Sequence, residues 1–225
     1  MAVLLGACSK EGAAIPDPNS IPKDQADEGQ PENVFATLFG DAQERYLRIS
    51  GETDWLITNP SVTEAFPSGS RVLASIGPGE EVSLDKSRYA GAVNVLWMEA
   101  VAEQPVGDLM VSLEPKVEDF GAPMQIIYDW ITTAEAYYLT VHYRIQQSGE
   151  VQHSFKLRPF GEGEDFALCH NKQGDTGEDP AEGIVCFRLS PEPKAEEGET
   201  PRIRLHYLDF SGKVKTLVLV YKNGS

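Results

Sequence analysis

The chain has 225 residues and a formal net charge of −16, from 35 acidic against 19 basic side chains. A surface of that sign repels phosphate backbones and anionic head groups, which argues against nucleic acid as a partner. Hydrophobic residues at 41% and charged residues at 24% are ordinary for a folded body, and the length allows one large or two small domains.

The first feature along the chain is Leu5-Gly6-Ala7-Cys8. It looks like a bacterial lipobox, with a branched apolar residue three before the cysteine and small residues giving a peptidase access to the backbone. Cys8 is therefore the expected lipidation site, and the membrane is a partner through that anchor. The apolar run before it is short and carries no Lys or Arg, which points to a start upstream. From Ser9 to Asn33 the composition changes. Pro16, Pro18, Pro22 and Pro31 punctuate a run holding Asp17, Asp24, Asp27, Glu28 and Glu32, without an aromatic. Such a segment buries too little apolar area to offset its ordering entropy and reads as a tether. No later stretch approaches the ~18 consecutive apolar residues of a membrane-spanning helix.

The body shows period-2 alternation. Val34–Phe39, Arg45–Ile57, Arg71–Ile76, Tyr89–Val101 and Leu109–Leu113 are five expected strands, enough for a small barrel. A joint with Pro115, Gly121 and Pro123 follows. The second block reads as seven strands, starting at Ile126, Tyr137, Val151, Phe166, Ile184, Ile203 and Val214, which suits an antiparallel sandwich. Asp129–Ala136 resists the alternation and reads as a strand entering a loop. The expected fold is all-β, with residues 1–8 as signal remnant and lipobox, 9–33 as tether, 34–115 as barrel and 116–225 as sandwich.

Several segments of the second block resemble the NigD-like lipoprotein family: Asp129-Trp130-Ile131, Tyr138-Leu139-Thr140-Val141-His142-Tyr143-Arg144, His170-Asn171, Gly174-Asp175, Phe187-Arg188-Leu189 and Phe210-Ser211-Gly212. The resemblance implies an OB-like barrel followed by a β-sandwich, export in a Gram-negative bacterium with a lipid anchor, and a link to a bacteriocin operon. It carries over no catalytic residue and no cofactor.

Other motifs have plainer readings. Asp175-Thr176-Gly177 has the letters of a retroviral-type aspartic protease, but Lys172-Gln173-Gly174 precede it where an apolar strand is needed, so it reads as a turn. Asp175, Glu178, Asp179 and Glu182, with Glu162, Glu164 and Asp165, lack the regular spacing of a calcium loop. His142, His153 and His206 fall on separate strands without zinc spacing, and His170 reads as a strand-end residue. Gly77-Pro78-Gly79 is a turn. Cys169 and Cys186 flank the acidic loop, and a disulfide or two packed thiols are both open. Tyr46, Trp55, Tyr89 and Trp97 offer either stacking faces for a sugar or core filling. The expectation is a non-enzymatic envelope lipoprotein acting through a protein partner, with glycan binding as the alternative and no metal or cofactor.

Overall fold

The structure is a computed structural model, describing residues 31–49, 53–107, 116–160, 164–191, 193 and 200–222. Cys8 and the tether 9–33 lie almost wholly outside that set, as does Leu109–Leu113.

The chain is all-β, as expected. Five strands, β1 (Glu32–Gly40), β2 (Arg45–Ile49), β3 (Thr53–Ile57), β4 (Arg71–Pro78) and β5 (Tyr89–Ala100), close a barrel in the order β1-β2-β3-β5-β4. Its interior is filled by one face of each strand: Val34, Ala36 and Leu38 from β1, Leu47 from β2, Ile57 from β3, Val72, Ala74 and Ile76 from β4, and Val93 and Val95 from β5. The stretch Arg45–Ile57 is two strands rather than one, with Leu47 opposite Trp55 across an antiparallel pair. The barrel thus closes without Leu109–Leu113. In β5, the register with β4 slips between Ser75 and Ile76, so that Trp97 faces Ser75 and Val95 faces Ile76. This β-bulge leaves both Leu96 and Trp97 exposed.

The second body is a nine-stranded sheet folded into a sandwich. Its strands are β6 (Glu103–Gln104), β7 (Gln125–Ile127), β8 (Thr133–Glu135), β9 (Tyr138–Gln147), β10 (Ser154–Pro159), β11 (Asp165–Asn171), β12 (Asp179–Arg188), β13 (Arg202–Leu208) and β14 (Val214–Lys222). They run in the order β10-β11-β13-β14-β8-β9-β12-β6, with β7 beside β9. The core comes from alternate residues such as Leu139 and Val141, Val185 and Phe187, Ile203 and Leu205, and Leu219 and Tyr221. Two strands, β6 and β8, are too short for period-2 alternation to reveal. The irregular Asp129 segment is a turn: the Asp129 carboxylate accepts the N–H groups of Ile131 and Thr132.

The β8–β9 hairpin turns through Ala136 and Tyr137, whose φ angles are 46° and 71°. Two positive φ values belong to a type I′ turn, normally occupied by Asn and Gly. Non-glycine residues persist there because the turn is held on several sides. Tyr137 N–H donates to the Tyr221 hydroxyl, Leu189 N–H donates to the Tyr137 carbonyl, and Thr37 of the barrel reaches the Ala136 carbonyl. Tyr137→Gly should raise stability by about 1 kcal/mol, or 2–4 °C in a thermal melt, by relieving the left-handed strain. A lower melting temperature would show that the ring itself holds the turn.

Candidate functional site: the cleft between barrel and sandwich

The outer face of β1 and β4 is not a solvent face. Thr37 and Arg71, outward-facing residues of the barrel, are 1% and 2% exposed because the β8–β9 hairpin covers them. Arg71 donates to Glu135 at 2.7 Å, to Thr133 at 3.2 Å, to Thr140 at 3.1 Å and to Thr37 at 3.4 Å. Both charged side chains are essentially out of water. A second tie runs beside it. The Tyr138 hydroxyl meets the Gly69 carbonyl at 2.7 Å and the Glu103 carboxylate at 3.0 Å, while Arg188 donates to Gly69, Tyr138 and Glu103. Burial, then the Glu103 charge, raises the Tyr138 phenol above its ordinary value. The two bodies are joined by ionised and hydrogen-bonded groups whose separation would strand charges in apolar surroundings.

Next to this interface lies a cleft of about 510 Å³. One wall is barrel: Phe35, Leu73, Glu99 and Ala100, continuing through Val101 and Ala102 to Gln104. The other is sandwich: Tyr143, Ile145 and Gln147 of β9, Gln152, His153 and Phe155 at β10, and Glu182–Val185 of β12. The volume is that of a ligand pocket. Its ionisable residues are Glu99, Glu182, His153 and Tyr143; neither lysine nor arginine lines it.

Tyr143 shapes the sandwich wall. Its ring lies 4.3 Å, centroid to centroid, from Phe155 and covers Gly183 of the neighbouring strand. A Cβ at Gly183 would stand 2.5 Å from the Tyr143 hydroxyl oxygen and 2.7 Å from Cζ. Gly183→Ala should therefore push the ring into the cleft and cost about 1–3 kcal/mol. A denaturant titration measures the loss, and an unchanged midpoint would show that the ring moves freely.

Behind this wall three buried titratable groups meet. His153 Nε2 lies 3.0 Å from Asp175 Oδ2, His153 Nδ1 lies 2.9 Å from His170 Nε2, and His170 Nδ1 faces the Pro123 carbonyl at 3.3 Å. Asp175 also accepts the N–H groups of Ser148 and Gly177, at 2.8 Å each, and these bonds hold its carboxyl well below the usual carboxylate range. His170 is 2% exposed, and burial together with neighbouring His153 pushes it down to about 4. The Pro123 carbonyl can only accept, so His170 donates to it from Nδ1 and turns Nε2 to His153. The group closes a loop onto β10 and β11 and leaves no nitrogen free for a substrate.

The structure thus joins three residues that the spacing in sequence kept apart. Asp175 does build a turn, but a turn whose carboxylate holds a buried histidine. His142 is likewise fixed, with Nδ1 2.8 Å from Asp129 and Nε2 3.6 Å from Glu182. His206 lies against Phe160 with Nδ1 2.9 Å from the Thr216 hydroxyl. Among the described residues no group of three or more potential ligands could hold a metal ion. In the acidic loop, Glu182 pairs with Arg144 and Asp165 with Arg204, while Glu162 is outside the described residues.

Cys169 and Cys186 are free thiols. Cys169 Sγ meets the Asp119 carbonyl, whereas Cys186 Sγ lies against Val101 and Ala102, and burial pushes Cys186 up to about 12. Of the four aromatic residues considered for sugar stacking, Tyr89 is buried, Tyr46 stacks on Phe39 and meets Tyr89 edge-on, and Trp55 packs on Gly91 against the barrel core. Trp97 alone of the four is well exposed. Sequence reasoning missed Tyr128 and Trp130, which are 70% and 42% exposed on the β7–β8 turn, Trp130 with its ring 5.3 Å from Phe35. An exposed turn beginning at Asp129 was the available signal.

Residues 110–221 match the family model described as the NigD-like C-terminal beta sandwich domain. No curated protein matches the chain. Among solved structures, a Parabacteroides distasonis protein provisionally named toxin-related has 19% identity and a TM-score of 0.62, over 84% of this chain and 93% of its own. A Bacteroides vulgatus protein of unknown function has 16% identity and a TM-score of 0.62, over 85% and 91%. A Bacteroides fragilis protein provisionally named a lipoprotein has 11% identity and a TM-score of 0.50, over 86% and 99%. At these identities the likeness is one of fold.

Proposed function

Because the chain belongs to the NigD-like family, we propose that it is a non-enzymatic cell-envelope protein, lipid-anchored through Cys8, that acts by protein–protein contact at the interdomain cleft. The observation that carries this reading is the cleft itself: a 510 Å³ opening whose two walls are held in place by the buried Arg71–Glu135 pair. The histidines beside it are committed to Asp129, Glu182, Asp175 and the Pro123 carbonyl, so their roles are positional. No helix of the described residues is long and apolar enough to cross a membrane, and the name of the Bacteroides fragilis protein supports a lipid anchor. A role beside a toxin or bacteriocin is one version of this reading, supported by the name of the Parabacteroides distasonis protein.

Two measurements test it. Radiolabelled palmitate should enter the protein and the label should vanish in Cys8→Ala. A photoreactive amino acid in place of Gln152, an exposed residue of the cleft, should crosslink in intact cells to one envelope protein. Absence of any crosslink there sinks the contact reading. The glycan alternative is favoured by one observation, the exposed rings of Tyr128 and Trp130 on one turn, with Trp130 against the cleft residue Phe35. Quenching of tryptophan fluorescence by envelope glycans, lost in Trp130→Ala, would move the assignment to that reading.

A further inference from the structure

The hydrogen-bonding parity of the strands around the cleft exposes a vacancy in the sheet. In β12 the N–H of Cys186 donates to the Ala102 carbonyl, on the β6 side, whereas Leu189, of opposite parity, donates to Tyr137 on the β9 side. Backbone direction alternates along a strand, so Glu182 and Ile184 share the direction of Cys186. Their N–H and C=O groups point into the cleft, beyond the end of β6, where they meet no backbone partner among the described residues. On the other side Leu157 of β10 bonds to Pro105 and Gly107 in the β6 segment, and in that parallel register Phe155 lies opposite Gln104, still within β6. The open backbone groups are therefore those of β12. The cleft continues the β6 position as an unfilled strand place along the β12 edge.

We propose that this place takes up an extended, basic segment of a partner protein as an added β-strand, lying against β12 in line with β6. The inference rests on the contact reading above and names the kind of partner. Strand addition supplies main-chain hydrogen bonds from Glu182 and Ile184, and the flanking side chains select the sequence. The selection is electrostatic. Glu99 on the barrel wall and Glu182, which also holds Arg144, on the sandwich wall line the slot, the glutamines Gln104 and Gln152 add uncharged polar contacts, and neither lysine nor arginine lines it. A second copy of the chain, at net charge −16, and its own acidic 9–33 stretch both carry the same sign as the slot and are repelled by it. Pro180, on the same parity and without an N–H, marks where the slot's donors end.

The test uses the full chain, labelled with ¹⁵N, and three decapeptides. These are five Thr-Lys repeats, five Thr-Glu repeats, and the Thr-Lys peptide N-methylated at alternate residues. The Thr-Lys peptide should shift the amides of Glu182 and Ile184 and slow exchange of the Ile184 amide. The acidic and N-methylated peptides should bind at least tenfold more weakly. Ile184→Pro deletes a donor to the slot while leaving the β9 ladder intact, and Glu99→Lys reverses a wall charge; each should weaken the Thr-Lys peptide at least tenfold. Should Ile184→Pro prove unstable, N-methylation and Glu99→Lys carry the same decision. No shift at those two amides at millimolar Thr-Lys peptide overturns the inference, as does binding indifferent to N-methylation. If these arms fail while the Gln152 crosslink still captures a partner, the contact reading stands and strand addition falls. If the crosslink fails too, both fall.

Discussion

Glu135→Ala should lose 3–5 kcal/mol of stability, seen as a large fall in the midpoint of urea unfolding. The loss far exceeds what an ion pair in water contributes, because Arg71 would remain at 2% exposure with its main countercharge gone. The three threonines around it, Thr37, Thr133 and Thr140, supply hydroxyl oxygens but no charge. A paired replacement separates geometry from charge. Arg71→Met with Glu135→Leu removes both charges and fills similar volume, and it should recover most of the loss, since well-packed apolar residues match buried ion pairs in stability. If Glu135→Ala alone falls by less than 1 kcal/mol, the interface is wetter than the structure shows.

Acid should destabilise the protein in two windows, each set by a group around the cleft wall. His170 is held near 4, against 6.5 when unfolded. Between those values the unfolded chain binds more protons than the folded one, so stability rises with pH there and falls on acidification from 6.5 to about 4. With 1.36 kcal/mol per pH unit, the full loss is on the order of 3 kcal/mol. His206, lowered by burial, adds to the same window in the same direction. Asp175 acts lower. Its folded value lies beneath 3.8, so its contribution is intact above that pH and drains away as pH falls further. Unfolding free energy measured from pH 7 to pH 3 should show this slope, and His170→Phe, stacked on Phe155 as the histidine is, should flatten the part between 6.5 and 4. An unchanged slope in that variant would assign the acid sensitivity elsewhere.

Much of this architecture is legible in the sequence. Alternation in Val34–Phe39, Arg71–Ile76 and Ile203–Leu208 marks strands because one face of each fills a core. What escaped were features without a local period. β6 and β8 span two and three residues, too few for alternation to register. Arg71 opens a strand, and an arginine there reads as a solvent residue until β8 and β9 are known to cover it. Asp175 was legible as a turn former, since its carboxylate bonds the backbone two residues on. Its pairing with His153, 22 residues away, follows from the β10–β11 register and leaves no trace in spacing. Tyr46 and Tyr89 were recognisable as aromatic strand residues, yet composition does not say which side of a barrel wall a ring occupies.

The barrel's outer wall is completed by residues far along the chain: Ala136 meets Thr37, Glu135 meets Arg71, and Arg188 meets the Gly69 carbonyl. A ribosome delivers roughly 5–20 residues per second. Between the appearance of Ala100 and that of Arg188, on the order of ten seconds at the middle of that range, the nascent first half must keep an unneutralised guanidinium and an apolar flank around Phe35 in contact with water. Native docking of the two halves thus belongs to the close of biogenesis, and any factor that shields the early half needs to release it only once β12 has emerged.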